Sequence, residues 1–236
     1  MRKIWIVAKR ELMTYLQTPM AYALMAGFLM ITGYFFSMSL LGSRAASVQS
    51  MLGNAGLILV FVAPILTMRL LADEDRQGTS EILFTTPVSV GQVVVGKFAG
   101  ALMIMTALLL IMLVFPLVVD QFGNPDWGVV LSGYFGFWLM MTAFLAAGVF
   151  TSSLTDSQLV AGVAGVALLL LLWVIDWAAG SLGAPIGPIL ARLSITNHFV
   201  EFNRGIIDTK NIVFYLSLTF GFLFLGTRIV ESRRWR

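Results

Sequence analysis

Long apolar stretches separated by short polar breaks set the pattern of this chain. They predict membrane-spanning helices at roughly 20–41, 52–71, 93–119, 128–151, 159–179 and 212–230. The reason is length: about 20 apolar residues, rising about 1.5 Å each, cover the ~30 Å hydrocarbon core of a bilayer. The third stretch is longer than a bilayer requires, so it is expected to tilt or to project into water at its start, and Pro116 predicts a bend near its far end. Ser89 and Gln92 have capping-box spacing just before it, a helix start.

Residues 1–18 follow a different rhythm. Ile4, Trp5, Ala8, Leu12, Tyr15 and Leu16 fall on one helical face, with Lys3, Arg10, Thr14 and Gln17 opposite. This pattern predicts an amphipathic helix lying flat in the membrane interface, its basic residues, Arg10 among them, near anionic headgroups. Pro19 marks the turn into the first span. Arg2, Lys3, Lys9 and Arg10 ahead of an apolar run resemble a signal peptide, but the run is too long and lacks a cleavage site, so a retained span is expected.

Composition agrees with lipid as the solvent: of 236 residues 58% are hydrophobic and 11% charged, against about 25% charged in a soluble domain. The absence of cysteine removes disulfides, thiolate nucleophiles and cysteine metal sites, and a single histidine argues against a histidine-rich metal centre. The expected fold is an all-α integral membrane protein with one transmembrane domain over 1–236. Lysines and arginines orient it. Eleven of them (2, 3, 9, 10, 69, 76, 97, 228, 233, 234 and 236) fall on one side and four (44, 192, 204 and 210) on the other. The richer side is expected to be cytoplasmic, with both termini on it.

The one substantial external segment is 180–211. Gly180, Gly183, Pro185, Gly187 and Pro188 predict turns in its first half. Phe199, Phe202 and Ile206 recur at helical spacing beside His198, Glu201, Asn203, Arg204 and Asp208, predicting a short amphipathic helix on the outer interface. His198 has two readings, a proton-linked switch or a polar residue at a wet interface beside Glu201, and the second is favoured.

Gly91-Gln-Val-Val-Val-Gly96-Lys97-Phe98 nearly matches a phosphate-binding loop, but Phe98 cannot supply the hydroxyl that magnesium needs, and three valines suit a helix entering lipid. Lys97 is expected to snorkel from the start of span three, and Gly96 with Gly100 permits close helix packing. Arg69, near the end of span two, is expected to snorkel as well. Gly133, Gly136, Ala161, Gly162 and Gly165 are where tight helix packing is expected.

The segment 72–92 carries Asp73, Glu74, Asp75 and Arg76, then Gly78-Thr79-Ser80-Glu81-Ile82-Leu83-Phe84-Thr85-Thr86-Pro87. Physics alone leaves a partner-binding surface and a plain solvated loop equally open. The stretch resembles the cytoplasmic loop of ABC-2-type transporter permeases, whose pattern runs R-x-x-G-T-x-E-x-L-x-x-x-P and then G-K into the third span. Arg76, Gly78, Thr79, Glu81, Leu83, Pro87, Gly96 and Lys97 are compatible with it. The resemblance implies a cytoplasmic coupling helix that docks on a separate ATPase, with Glu81 a coupling or gating residue and Ile82, Leu83 and Phe84 docking contacts.

Ser152-Ser-Leu-Thr-Asp-Ser-Gln158-Leu-Val-Ala161, the stretch from Ser194 through Arg204 to Asp208, and Glu231-Ser-Arg-Arg-Trp235 resemble the gliding-motility-type (GldF-like) branch, although Asp156 stands where that branch is expected to carry asparagine. The implied unit pairs two permease copies with two ABC ATPase subunits in a bacterial inner membrane. ATP and magnesium would sit on the ATPases, and this chain would bind no cofactor and catalyse nothing. An auxiliary protein with a large extracytoplasmic domain would meet 180–211 through His198, Phe199, Glu201, Arg204 and Asp208. No nucleic acid is implied. The rivals are a membrane-embedded enzyme, for which Asp120, Asp126 and Asp176 are poor candidates, and an ATPase-independent channel or scaffold.

Overall fold

The computed structural model describes residues 2–43, 48–76, 89–123, 125–181 and 186–233. Among these residues every regular element is a helix: α1 (Arg2–Gln17), α2 (Pro19–Ser43), α3 (Val48–Thr67), α4 (Arg69–Arg76), α5 (Val90–Met112), α6 (Val114–Phe122), α7 (Trp127–Leu154), α8 (Gln158–Ser181), α9 (Ile186–Leu193), α10 (Ile195–Asn203) and α11 (Thr209–Arg233). Six stretches are long and apolar enough to cross a bilayer: Pro19–Leu40, Val48–Asp73, Val90–Gln121, Trp127–Leu154, Gln158–Asp176 and Thr209–Ser232. The chain is an all-α integral membrane protein, with spans where the apolar pattern predicts them.

An even number of crossings puts α1 and the end of α11 at one end of the bundle, with α4, the start of α5 and the α7–α8 turn. We call this the terminal end; α9, α10 and the α6–α7 turn lie at the far end. The organising element is α7, apolar around its whole circumference and 78% buried, where the spans of α2, α8 and α11 are 17–22% buried. It packs against α11, α3, α8, α10 and α5.

Burial in lipid gains little from water exclusion, so close backbone approach has to hold such helices together. The expected small residues do this. Gly136 receives the Phe202 ring, Gly133 lies against Leu52 and Asn203, Gly165 against Pro64 and Thr151, and Gly162 against the Met68 sulfur.

The bend expected from Pro116 appears as the break between α5 and α6 at Leu113. Pro116 has no N–H to return to the Met112 carbonyl, and its ring crowds that oxygen. Tyr134 of α7 supplies the missing donor, its hydroxyl donating to the Met112 carbonyl at 2.7 Å. Unpaired backbone groups are costly in lipid, which is why a buried tyrosine stands opposite the break.

Three expectations are corrected. Segment 186–193 is helix α9, not turns, although it contains Gly187 and Pro188. Pro188 is its third residue, within the first turn, where no N–H is needed. The short α10 helix forms, but its apolar face packs on protein: Phe199 and Phe202 are buried against α7, with Phe137 edge-on to Phe199 at 6.1 Å, and Ile206 lies exposed beyond the helix end. Finally, α1 is rotated from its expected face. It packs on α5 and buries Ala8 and Tyr15, leaving Trp5 and Leu16 exposed.

Candidate functional site

The α1–α5 contact exists because Gly96 and Gly100 remove side chains where two backbones meet. A methyl on Gly96 would sit 2.7 Å from Val7 Cβ, and one on Gly100 would sit 2.6 Å from Glu11 Cβ and 3.0 Å from the Ala8 carbonyl. Between these glycines Lys97 points at α1 and pairs with Glu11 at 3.4 Å. Its side chain is 6% exposed and that of Glu11 16%. The expected snorkelling is thus replaced by a buried ion pair. Tyr15 adds a tie from α1 to α3, its hydroxyl donating to the Leu66 carbonyl at 2.9 Å. Burial pushes that hydroxyl far above its ordinary range, aided by the Glu11 charge and opposed by Arg69, so it stays a neutral donor.

Arg10 is exposed on α1. Arg69 is half-buried; its guanidinium meets the Met20 sulfur at 2.9 Å, and its Nε is buried without a partner.

Span two breaks at Met68, between α3 and α4, four residues after Pro64. Ser152, in the last turn of α7, bridges this break. Its hydroxyl accepts from the Leu71 and Ala72 N–H groups at 3.1 and 3.2 Å and donates to the Met68 carbonyl at 3.0 Å. Gln158, the first residue of α8, donates to the Asp73 carboxylate. On the other flank, Ser89 and Gln92 form the expected capping box at the start of α5. Arg76 is the last residue of α4; Gly78, Thr79, Glu81, Ile82, Leu83, Phe84 and Pro87 lie outside the described residues.

At the far end the expected polar set is gathered by two residues the sequence reading did not single out, Asn211 and Lys210. His198 Nδ1 is 2.6 Å from Asn211 Oδ1, its Nε2 is 3.1 Å from the Arg192 carbonyl, and its ring stacks on Phe214 at 4.0 Å. Asn211 donates to Glu201 at 2.7 Å; Lys210 pairs with Glu201 at 3.1 Å and Asp208 at 3.3 Å. The Asn211 amide and then Lys210 hold the Glu201 carboxyl below its ordinary value, while the Lys210 backbone N–H does the same for Asp208. Arg204 is exposed and closes α10 as its C-cap. Phe199 belongs to the core.

Two of the three acids weighed for catalysis, Asp126 and Asp176, serve separate structural ends. Asp126 caps α7 by accepting from the Gly128 and Val129 N–H groups, and Asp176 accepts from the Ser194 hydroxyl at 3.1 Å.

A family model described as "ABC-2 family transporter protein" matches residues 13–230. The chain belongs to the ABC-2 transporter family. Comparison with the curated proteins returns no match. As an ABC-2 permease it is a membrane-spanning component of an ATP-binding cassette transporter. The match runs from the last turn of α1 into the last turn of α11, so it takes in the α5 side of the α1–α5 contact, the Met68 break and the α9–α10 pair, while Val7, Ala8 and Glu11 precede it. Glu11, Ser152 and Asp73 were not singled out as site residues. Glu11 was legible in principle, since Ile4, Ala8, Glu11 and Tyr15 share one helical stripe. The partnership of Ser152 with Leu71 was not, being a contact across 81 residues.

Proposed function

We propose that this permease is driven by a separate ABC ATPase that docks on residues 72–92 from the cytoplasm, with both termini on that side. ATP and Mg²⁺ are bound by the ATPase, and this chain transmits the resulting movement. Two permease copies and two ATPases form the unit, in a bacterial inner membrane. The resemblance of 152–161, 194–208 and 231–235 to gliding-motility-type permeases supports a part in an export or mechanically coupled complex. There, 180–211 meets an auxiliary extracytoplasmic protein through His198, Glu201, Arg204 and Asp208.

One observation carries this reading: both flanks of 72–92 are anchored at the terminal end. On one side α4 is held to α7 and α8 through Ser152 and Gln158. On the other, α5 starts at a capping box and is pinned to α1 by Lys97 and Glu11. A push received between two anchored helix ends passes through them into the bundle. The excess of basic residues at the same end supports its cytoplasmic position.

The test is affinity purification in mild detergent, wild type beside Glu81→Ala and Leu83→Asp, with identification of copurifying chains and an ATP hydrolysis assay. An ATPase should accompany wild type, and the variants should lose its binding or its coupled turnover. Absence of any ATPase under conditions that keep the fold would sink the reading and return the enzyme and scaffold alternatives.

A further inference from the structure

We propose that Ser152 and Gln158 clamp α4 to the α7–α8 turn, so that displacement of α4 moves two membrane-spanning helices and is not absorbed at the Met68 break. This rests on the reading above, in which the segment after α4 receives the ATPase.

A push on α4 first meets a joint. Pro64 lies within α3, the helix ends at Thr67, and α4 starts again at Arg69. The bond that Pro64 removes lies upstream, at the Val60 carbonyl, and the Met68 N–H still reaches the Pro64 carbonyl at 2.8 Å; the helix nevertheless breaks at Met68, and an unsplinted break there would let α4 swing without moving α3. The opening N–H groups of a helix lack carbonyls in a preceding turn, and a nearby Ser or Asp in the same chain segment ordinarily caps them. Here the cap comes from another span.

Ser152 is fully buried, and its hydroxyl uses its donor and both acceptor positions at once. It holds the Met68 carbonyl on one side of the joint and the Leu71 and Ala72 N–H groups on the other, which splints the break and fastens it to α7. One residue farther along α4, Asp73 takes the Gln158 amide, which fastens it to α8.

The packing beneath these bonds sets side chains of the joint against glycines of both helices. Gly148 of α7, one turn before Ser152, receives the Thr67 side chain. Gly162 and Gly165 of α8, four and seven residues after Gln158, receive Met68 and Pro64. Each polar contact therefore tops a helical stripe that is moulded to the joint. Ser152 and Gln158 touch no cargo in this scheme; they are positioning residues.

The cysteine-free sequence makes the test clean, because spin labels at Ser181→Cys and Thr209→Cys, at the far ends of α8 and α11, need no background removal. The ATPase–permease complex is placed in lipid nanodiscs, and the distance between labels is measured without nucleotide and with ATP trapped by vanadate. Ser152→Ala and Gln158→Ala should keep the ATPase bound while the nucleotide-driven distance change falls at least about twofold. Gln158 sits at the surface end of α8, so its variants leave the fold intact should Ser152→Ala not. Gln158→Glu sets a carboxylate against Asp73 and should also uncouple; adding Asp73→Asn rebuilds the contact with donor and acceptor exchanged and should restore the movement.

A full distance change in Ser152→Ala and Gln158→Ala, or a Gln158→Glu defect unrelieved by Asp73→Asn, overturns the clamp. So does a wild-type complex that shows no change with nucleotide. Failure of the permease reading looks different: the wild-type preparation would then contain no ATPase at all.

Discussion

Replacing Lys97 by Met tests whether this cation is paired or merely snorkels. A snorkelling lysine contributes little, and a long apolar side chain at the start of a span should be neutral or better. A lysine 6% exposed at 3.4 Å from a carboxylate is another matter. At that distance the attraction is about 5 kcal/mol for an effective dielectric of ~20, and removing the lysine strands Glu11, at a cost of about 3–5 kcal/mol for a buried pair. Glu11 is 16% exposed and recovers some hydration, so the lower figure applies. Lys97→Met should cost about 3 kcal/mol, lowering the apparent melting temperature by roughly 6–12 °C for a chain of this size, and Glu11→Leu should destabilise in the same direction. The double variant removes both charges and leaves apolar groups of similar bulk between Gly96 and Gly100, so it should return to within about 1 kcal/mol of wild type. Thermal unfolding of the four proteins in one detergent completes the cycle. Single shifts below ~2 °C that simply add in the double variant would refute the pairing.

Tyr134→Phe removes the donor that serves the Met112 carbonyl, and a stranded buried acceptor costs about 1–3 kcal/mol. In a Pro116→Ala background the helix can close on Met112 itself, so thermal melts should show a smaller loss there. Acidification should loosen the α10–α11 junction. The Glu201 carboxyl is held below its ordinary value of 4.5, so its contribution is complete above that pH and is lost as pH falls through the lowered value. Hydrogen exchange of 195–211 should therefore be flat from pH 8 to 5, after correction for intrinsic rates, and rise below about 4.5; no rise at acid pH would refute the role given to Glu201.

The spans were legible because lipid imposes a length and a composition on each crossing, and neither depends on what the helix touches. The capping box and the Pro116 bend were legible for a related reason: both are local, set by residues within four positions of each other. What failed was everything decided by which face meets which neighbour. The apolar residues of α1 do form a stripe, yet the contact with α5 is chosen by the two glycines on the opposing helix, which admit Val7, Ala8 and Glu11 in place of Trp5 and Leu16. Phe199 and Phe202 are as apolar as an interfacial helix demands. They are buried because Gly136 opens a socket for a ring 66 residues away, and no periodicity in 195–206 could reveal it.

The same distinction bears on how the candidate sites should be judged. Glu201, His198 and Asp208 drew attention as a polar cluster in an otherwise apolar chain, but their coherence depends on Asn211, a fully buried amide on the next helix that ties His198 to Glu201. At the terminal end the roles are reversed. The acids preceding the loop draw the eye as charge, whereas Asp73 is engaged by α8 and the joint above it is closed by a neutral hydroxyl. In a membrane protein a polar side chain at a helix end costs least when it completes another helix's backbone, so the residues that join moving parts are those whose bonds cross between spans. By that criterion Ser152, rather than any charged residue of α4, is where α4 and the bundle are joined.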